Sequence, residues 1–251
     1  MSGEGAHERA ALVTGGARGI GLAIAEALAA RGDRVTIADV DLENGRASAA
    51  ALEERGWRVS AVALDVTDVE QVHRVIGEVD AEAPLTTVVC NAGLGMNGGV
   101  LDTSSEEYDR VLAVNLKGVF FTMQAALRLM VPRGRGSVVS ISSTSGFTAS
   151  STPQAVYDLS KAAVRMLTTS AARETGRTGV RVNAVAPGTV GTDLVRALLS
   201  EEAIARLSDE RIPMGRLAEP AEIAAAVAWL SSDDASYVTG HTLVADGGWL
   251  T

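Results

Sequence analysis

Residues 10–21 read Ala-Ala-Leu-Val-Thr-Gly-Gly-Ala-Arg-Gly-Ile-Gly and combine a candidate strand with a tight glycine turn. The apolar run Ala10–Thr14 predicts a buried strand, and apolar residues at helical spacing over Ile20–Ala30 predict a helix directly after the turn. Glycines let the backbone turn sharply and approach a diphosphate closely, and the start of a helix favours negative charge. We therefore expect a dinucleotide to bind at this turn, against Gly15, Arg18, Gly19, Ile20 and Gly21.

Strands and helices alternate along the rest of the chain. Seven strands are predicted, at Ala10–Thr14, Arg34–Ala38, Arg58–Leu64, Thr87–Cys90, Ser137–Ile141, Val180–Val185 and Thr242–Ala245. Helical patterns occupy Ile20–Ala30, Val69–Val79, Tyr108–Met130, Ala155–Glu174 and Ala221–Leu230. Such alternation implies right-handed crossovers and a parallel sheet with helices on both faces. The sequence thus predicts an α/β fold, a single Rossmann-type doubly wound domain over residues 1–251.

The stretch Val190–Leu217 departs from this alternation. Connections of such length in a compact domain are often functional, so we interpret it as a substrate lid, with an extra surface helix as the alternative.

Two further segments extend the expected dinucleotide site. Asp39 lies eighteen residues after Gly21, close to where dinucleotide folds place a carboxylate that accepts from ribose hydroxyls. The same carboxylate would repel a 2′-phosphate, so NAD is the predicted cofactor in preference to NADP. A turn-forming aspartate, like nearby Asp41, is the alternative interpretation. The small residues of Asn91–Gly93 follow the fourth strand and would face the glycine turn across the crevice.

Composition excludes several other classes of protein. The formal charge of −9 disfavours nucleic-acid and membrane-surface partners. Cys90 is the only cysteine, so an internal disulfide is impossible, and the three histidines have no metal-ligand spacing. Together with the lack of a signal-like apolar segment, this predicts a cytoplasmic protein without a metal.

Tyr157 and Lys161 form the strongest candidate for chemistry. Their i, i+4 spacing places them on one face of a helix, for which Thr152 is a candidate N-cap and Pro153 a suitable first residue. Only two of the 22 basic residues are lysines, Lys117 and Lys161, which suggests that a compact ammonium is required here. Such a cation would favour a phenolate, so we expect a lowered pKa for Tyr157 and a role as proton acceptor, although burial opposes that shift.

Hydroxyl groups follow the fifth strand at Ser142, Ser143, Thr144 and Ser145. A substrate oxygen could bridge one of these serines and Tyr157. Hydroxyl clusters also stabilise ordinary turns, so the serines alone favour a structural role.

With these elements in order, the whole chain resembles the short-chain dehydrogenase/reductase family in its compact form. The resemblance rests on the glycine turn, Asp65-Val66, Asn91-Ala92-Gly93, Asn115, Ser143, Tyr157 with Lys161, and Pro187-Gly188. It implies catalytic roles for Asn115, Ser143, Tyr157 and Lys161: Tyr157 as acid/base, Ser143 on the substrate oxygen, Lys161 on the tyrosine and the nicotinamide ribose, and Asn115 beside a proton-relay water. Cofactor contacts are implied for Gly15, Arg18, Gly19, Ile20, Gly21, Asp39, Asp65, Val66, Asn91, Ala92, Gly93, Tyr157, Lys161, Pro187, Gly188, Val190 and Thr192.

Two positions depart from the commonest family pattern. Cys90 stands where asparagine is frequent, and fourteen positions separate Ser143 from Tyr157 instead of thirteen. The second departure leaves Ser142 as an alternative, and we choose Ser143 because Gly146 follows it at the usual distance.

The function predicted from these residues is NAD-dependent hydride transfer between a nicotinamide cofactor and a secondary alcohol or ketone. The substrate is expected to be a small, neutral and moderately apolar molecule, and the family resemblance implies a homotetramer. One alternative is an NADPH-dependent 3-oxoacyl thioester reductase, with Arg128, Arg133 and Arg135 as a docking patch for an acidic carrier protein. The other alternative is a nicotinamide sensor without turnover. The presence of all four expected catalytic residues argues against it.

Overall fold

The computed structural model describes residues 9–95, 98–150 and 152–251. Within these residues, seven strands form one sheet in the order β3-β2-β1-β4-β5-β6-β7. All neighbouring pairs are parallel. The strands are β1 (Ala10–Thr14), β2 (Arg34–Asp39), β3 (Val59–Ala63), β4 (Leu85–Cys90), β5 (Gly136–Ile141), β6 (Val180–Pro187) and β7 (Thr242–Ala245). The predicted doubly wound parallel sheet is confirmed.

Helices connect the strands. They are α1 (Gly19–Ala30), α2 (Leu42–Glu53), α3 (Val69–Glu82), α4 (Ser105–Leu112), α5 (Val119–Arg133), α6 (Ala155–Thr175), α7 (Asp193–Leu198), α8 (Glu201–Arg211) and α9 (Pro220–Leu230). Among the described residues, none of these helices is long and apolar enough to cross a membrane.

Two apolar layers cover the sheet because consecutive side chains of a strand point to opposite faces. Leu12 of β1 belongs to the layer packed under α3, α5 and α6, with Ile76 and Met123. Val13 belongs to the opposite layer, with Leu28 of α1 and residues of α2 and α9. Burial on both faces explains why the central strands read as continuously apolar runs.

The structure corrects the predicted helices in three places. Leu42–Glu53 forms a helix that sequence periodicity did not reveal, capped by Asp41, which accepts from the Asn44 amide. The predicted helix Tyr108–Met130 is divided by a π-helical turn at Ala113–Gly118. Helix α6 begins at Ala155, and not at Pro153, because the Gly98 amide donates to the Pro153 carbonyl and holds this segment extended.

The stretch Val190–Leu217 contains two helices, α7 and α8. Its ends are joined by the bridge between Val190 and Ala218, in which the Gly191 amide donates to the Ala218 carbonyl at 2.8 Å. The segment therefore leaves and rejoins the domain at one place, a geometry compatible with a lid, which stays a prediction.

Candidate active site

The strand order reverses between β1 and β4, and the loops that follow β1, β4, β5 and β6 meet at this edge of the sheet. Ligands of open α/β sheets bind at such a switch point. Each of the loops carries residues that the sequence singled out.

The glycine turn after β1 has almost no free space. Gly15 has φ +62°, and a Cβ there would lie 2.8 Å from the Ala92 Cα. A Cβ on Gly21 would lie 2.1 Å from the Gly15 carbonyl oxygen. Gly19, with φ +57°, begins α1 and faces Thr192 across the crevice. Backbone packing therefore requires glycine at Gly15 and Gly21, and the positive φ favours glycine at Gly19, apart from any ligand.

Asn91 fastens this turn to the end of β4. Its side-chain amide donates to the carbonyls of Thr14 and Gly15, both at 2.9 Å. Its backbone amide donates to the Thr14 hydroxyl at 3.0 Å. The Asn91 side chain thus holds the cofactor loop together. Thr14 was not predicted to have a role, yet its hydroxyl accepts from the amides of both Asn91 and Ala92. Its position at the end of β1, next to the glycine turn, was the signal that could have indicated this.

Asp39 lies at the end of β2 with both carboxylate oxygens engaged. One accepts from the Ala17 amide and the other from the Asp41 amide, each at 3.0 Å. Arg18 is exposed at the same rim. The pKa of Asp41 is lowered, chiefly by hydrogen bonds from Asn44 and to a smaller extent by the Arg18 charge. This rim therefore holds one guanidinium beside two carboxylates.

Asn115 is buried within the π-helical turn, a feature that often marks functional positions in helices. Its side-chain oxygen accepts from the Leu94 amide at 2.7 Å. Its nitrogen donates to the Leu94 carbonyl and to the Ser160 hydroxyl. Asn115 thus fixes the loop after β4 against α6, and its relay through water stays a prediction.

The two candidate serines have different surroundings. Ser142 is buried and donates its hydroxyl to the Lys161 carbonyl at 2.9 Å, which commits it to the backbone of α6. Ser143 lies close enough to Tyr157 for its hydroxyl to favour the phenolate, which lowers the pKa of the tyrosine. Its hydroxyl oxygen also accepts from the Ser145 amide at 3.2 Å. Of the two serines, Ser143 is the one whose side chain interacts with the phenol of Tyr157.

Tyr157 is partly buried and packs with Leu112 against Val111 and Val156. Burial raises the pKa of Tyr157, and the hydroxyl of Ser143 opposes this rise. The expected lowering of the tyrosine pKa by Lys161 is therefore wrong for the protein alone. Burial dominates because the ammonium is directed elsewhere and not at the phenolic oxygen.

Lys161 is buried and donates to the Ile141 carbonyl at 2.9 Å. Its ammonium lies 5.6 Å from the centre of the Tyr157 ring. Removal from water lowers the pKa of Lys161 to about 8. A Cβ on Gly93 would lie 3.5 Å from this nitrogen, so the ammonium lies beside the loop after β4.

The remaining predicted residues line the edge of the crevice. Val66 packs against Gly118, and Asp65 accepts from the amide and hydroxyl of Thr67. Pro187 ends β6, and Gly188 packs against the backbone of Asp246. Val190 is buried, while Thr192 caps α7 by accepting from the Val195 amide.

A dinucleotide fits this edge on three structural grounds. The first turn of α1 follows Arg18, whose side chain has no acceptor and cannot cap the helix amides, so their positive end favours a diphosphate. The glycine turn and Ala92 present backbone at close range. Lys161 lies between Gly93 and Tyr157. These features together define a dinucleotide-binding α/β protein.

Comparison with known proteins narrows this class to a family. Residues 15–250 match the family model described as enoyl-(acyl carrier protein) reductase. Galactitol 2-dehydrogenase (L-tagatose-forming) of Cereibacter sphaeroides is 40% identical over 242 residues, covering 95% of this chain and 94% of that protein. The 3-oxoacyl-[acyl-carrier-protein] reductase of Vibrio cholerae is 39% identical, with 96% of each chain covered.

Solved structures agree with the sequence relatives. A gluconate 5-dehydrogenase from Burkholderia cenocepacia J2315, in complex with NADP and tartrate, superposes with a TM-score of 0.91 at 33% identity, covering 97% of this chain and 96% of that one. The chain belongs to the short-chain dehydrogenase/reductase family, and its reaction is nicotinamide-dependent hydride transfer.

Proposed function

We propose that the protein is an NAD-preferring dehydrogenase that interconverts a secondary alcohol and its ketone, with Tyr157 as the acid/base. The observation that carries this proposal is the position of Tyr157 beside the buried Lys161, whose ammonium lies 5.6 Å from the centre of the tyrosine ring. Ser143 lies next to the same phenol and favours its ionised form. These groups lie at the edge of the sheet where the glycine turn opens.

A nicotinamide bound at this edge would supply or accept the hydride. The hydroxyls of Ser143 and Tyr157 would hold the substrate oxygen by hydrogen bonds. In alcohol oxidation the hydroxyl proton passes to the Tyr157 oxygen, and in ketone reduction the phenol returns it. Lys161 places a positive charge near the developing phenolate and beside the cofactor loop. Asn115 keeps Leu94 and α6 in fixed positions around this space.

The raised pKa of Tyr157 decides the direction of the pH dependence. A protonated phenol is ready to donate in ketone reduction at neutral pH. Alcohol oxidation needs the phenolate, so its rate is expected to rise with pH through the alkaline range.

Replacement of the phenol tests this assignment. Tyr157→Phe removes one oxygen, and we expect turnover to fall at least a hundredfold, as for the loss of a general acid/base, while NAD⁺ affinity is retained. Lys161→Arg keeps the charge but not the compact ammonium, and we expect a large fall in kcat. Tyr157→Phe with wild-type turnover would disprove the mechanism.

The preference for NAD rests on Asp39, whose carboxylate would repel a 2′-phosphate. Arg18 at the same rim provides the opposing charge. We expect kcat/KM to favour NAD⁺ over NADP⁺, and Asp39→Ala to narrow the difference. Equal kcat/KM for the two cofactors in the wild-type enzyme would contradict the assignment.

The substrate class is proposed from the names of two relatives. Galactitol 2-dehydrogenase and L-rhamnose 1-dehydrogenase (NAD(P)(+)) of Azotobacter vinelandii have names that describe polyhydroxylated substrates. A small neutral polyol, oxidised at a secondary hydroxyl, is therefore the first candidate. An absorbance screen of NAD⁺ reduction tests it with galactitol, other polyols, and aliphatic, cyclic and steroid alcohols.

The second candidate, a 3-oxoacyl thioester reductase, is favoured by the relative from Vibrio cholerae. The proposed docking patch is weakened by Arg133, which pairs with Asp80 at 2.8 Å and donates to the Leu85 carbonyl. An acetoacetyl thioester and NADPH distinguish the two functions. Faster turnover of that pair than of any alcohol with NAD⁺ would replace the first proposal by the second.

A homotetramer and a cytoplasmic location complete the proposal. Phe120, Leu159 and Met166 on α5 and α6 are each more than 40% exposed, which agrees with an interface on these helices. Light scattering would contradict assembly if it gave the mass of one 25.9 kDa chain. The location rests on the single cysteine, Cys90.

A further inference from the structure

The segment between β5 and α6 is attached to α6 by side chains that the proposed chemistry does not use. Asp158, directly after Tyr157, accepts from the Ser150 amide at 3.0 Å with one carboxylate oxygen. Its other oxygen accepts from the Ser150 hydroxyl at 2.5 Å. The Ser150 hydroxyl oxygen in turn lies 2.8 Å from that of Ser145. We call these three residues the serine brace.

The hydrogen bonds of the brace have one consistent direction. An ionised carboxylate can only accept hydrogen bonds, so the Ser150 hydroxyl donates its one hydrogen bond to Asp158. The Ser145 hydroxyl must then donate to Ser150. The Ser145 amide donates to the Ser143 oxygen at 3.2 Å, and the Ser143 proton is free for the Tyr157 oxygen. One carboxylate thereby fixes the turn on which the catalytic pair depends.

A second contact holds the other part of the same segment. Arg165 lies seven residues after Asp158, on the same face of α6. Its guanidinium donates to the Gly146 carbonyl and stacks on the Phe147 ring, with its carbon 3.4 Å from the ring centre. Two residues of α6 thus hold the segment that carries Ser143. Arg165 holds it at Gly146 and Phe147, and Asp158, the neighbour of Tyr157, holds it at Ser150.

We propose that Asp158 is a positioning residue of the active site, which acts through Ser150 and Ser145 to hold Ser143 against Tyr157 on the substrate side. This inference rests on the proposed roles of Ser143 and Tyr157. A carboxylate in the first turn of a helix also stabilises the helix electrostatically. That general effect needs no partner eight residues upstream, whereas the proposed role requires Ser150.

The test measures the KM of the substrate separately from the binding of the cofactor. Asp158→Ala, Asp158→Asn, Ser150→Ala and the double alanine variant are assayed with NAD⁺ and the alcohol that the screen above shows to react fastest. Asp109→Ala is the matched control, since Asp109 is an exposed carboxylate on α4. The dissociation constant of NAD⁺ is measured by calorimetry for each variant.

We expect Asp158→Ala to raise the KM of the alcohol about tenfold, the loss that removal of hydrogen bonds to a charged group produces. NAD⁺ affinity and the control should stay within twofold of wild type. Asp158→Asn retains one acceptor atom and should give an intermediate KM. Ser150→Ala should raise KM about threefold, because its backbone amide still donates to Asp158.

The double variant shows whether the two residues act together. If they share one interaction, the double variant resembles Asp158→Ala alone, at about tenfold, and the separate effects do not multiply. A KM unchanged in Asp158→Ala, or single effects that multiply, would overturn the inference. Should Asp158→Ala fail to fold, Ser150→Ala with wild-type KM would overturn it equally. If Tyr157→Phe were fully active, the proposed function would fail instead, and the two failures are distinguishable.

Discussion

The cofactor half and the substrate half of the active site are built in different ways. Around the glycine turn, backbone lies against backbone, and Gly15 and Gly21 have no room for a Cβ. Around Tyr157, side chains hold the structure: Asp158 binds Ser150, and Ser142 binds the Lys161 carbonyl. The first half depends on glycines that let backbone approach backbone, with Asn91 and Thr14 fastening the turn, and the second depends on side-chain hydrogen bonds throughout. A family can therefore keep one cofactor site while its substrate side changes.

The largest effect is expected from crowding the cofactor half. Gly21→Ala places a methyl group 2.1 Å from the Gly15 carbonyl oxygen and 2.5 Å from the Asn91 side-chain nitrogen. Strong repulsion with the backbone should destabilise the fold by about 3 kcal/mol or more and abolish NAD⁺ binding. Chemical denaturation and calorimetry measure the two quantities.

Gly77→Ala is the matched control for this change. Gly77 lies inside α3, and a Cβ there meets nothing within 4 Å. Replacement of an interior helical glycine should stabilise the protein by about 0.5–1 kcal/mol. Wild-type NAD⁺ binding by Gly21→Ala would show that the glycine turn can relax around a methyl group. The cofactor half would then not depend on the lack of room for a Cβ.

An effect of intermediate size on stability is expected from the buried ammonium of Lys161, which lies between the cofactor half and the substrate half of the site. Burial lowers the pKa of Lys161 to about 8 from an ordinary value of 10.5. Between these values the unfolded chain binds more protons than the folded one, so stability rises with pH. We expect a gain of about 2 kcal/mol between pH 7.5 and 9.5 in wild type relative to Lys161→Met. Below pH 10 the raised pKa of Tyr157 adds little to this difference.

Chemical denaturation at the two pH values measures that gain. Parallel changes in wild type and Lys161→Met would contradict it and would mean that the ammonium is well hydrated. In that case Lys161 would belong to the solvated surface of the site.

Sequence patterns predicted the local structure around the glycine turn more completely than the local structure around Tyr157, for a physical reason. The glycines, the end of β2 at Asp39 and the alternating elements are local features that follow from neighbouring residues. The π-helical turn at Asn115 and the choice between Ser142 and Ser143 depend on contacts with α6, far along the chain. Helix α2 was missed because mostly exposed helices have a weak apolar period.

The prediction of a lowered pKa for Tyr157 was wrong for a related reason. The i, i+4 spacing correctly indicated that Lys161 and Tyr157 share a face of α6. It contained no information on the Ile141 carbonyl, which accepts a hydrogen bond from the ammonium, or on the burial that raises the tyrosine pKa. Electrostatics of a buried site depends on every neighbour, so spacing within one helix gives only part of it.

The smallest effect is expected at the proposed lid. Arg196 pairs with Glu219 at 2.8 Å and donates to the Gly191 carbonyl at 3.0 Å, linking α7 to the start of α9. Both charged side chains are about half exposed, so Arg196→Gln should cost less than about 1 kcal/mol of stability. If Val190–Leu217 closes over the substrate, the KM of the alcohol should still rise about two- to fivefold, because loosening α7 lowers the population of the closed form.

Arg206→Gln is the matched control on α8, since its pair with Glu210 lies within one helix and joins no other element. Its KM and stability should both stay at the wild-type values, because exposed i, i+4 pairs contribute about 0.5 kcal/mol or less. Steady-state kinetics at saturating NAD⁺ with both variants decides the question. Equal KM values for Arg196→Gln and Arg206→Gln would contradict the lid, and the segment would then be surface helices that the substrate does not need.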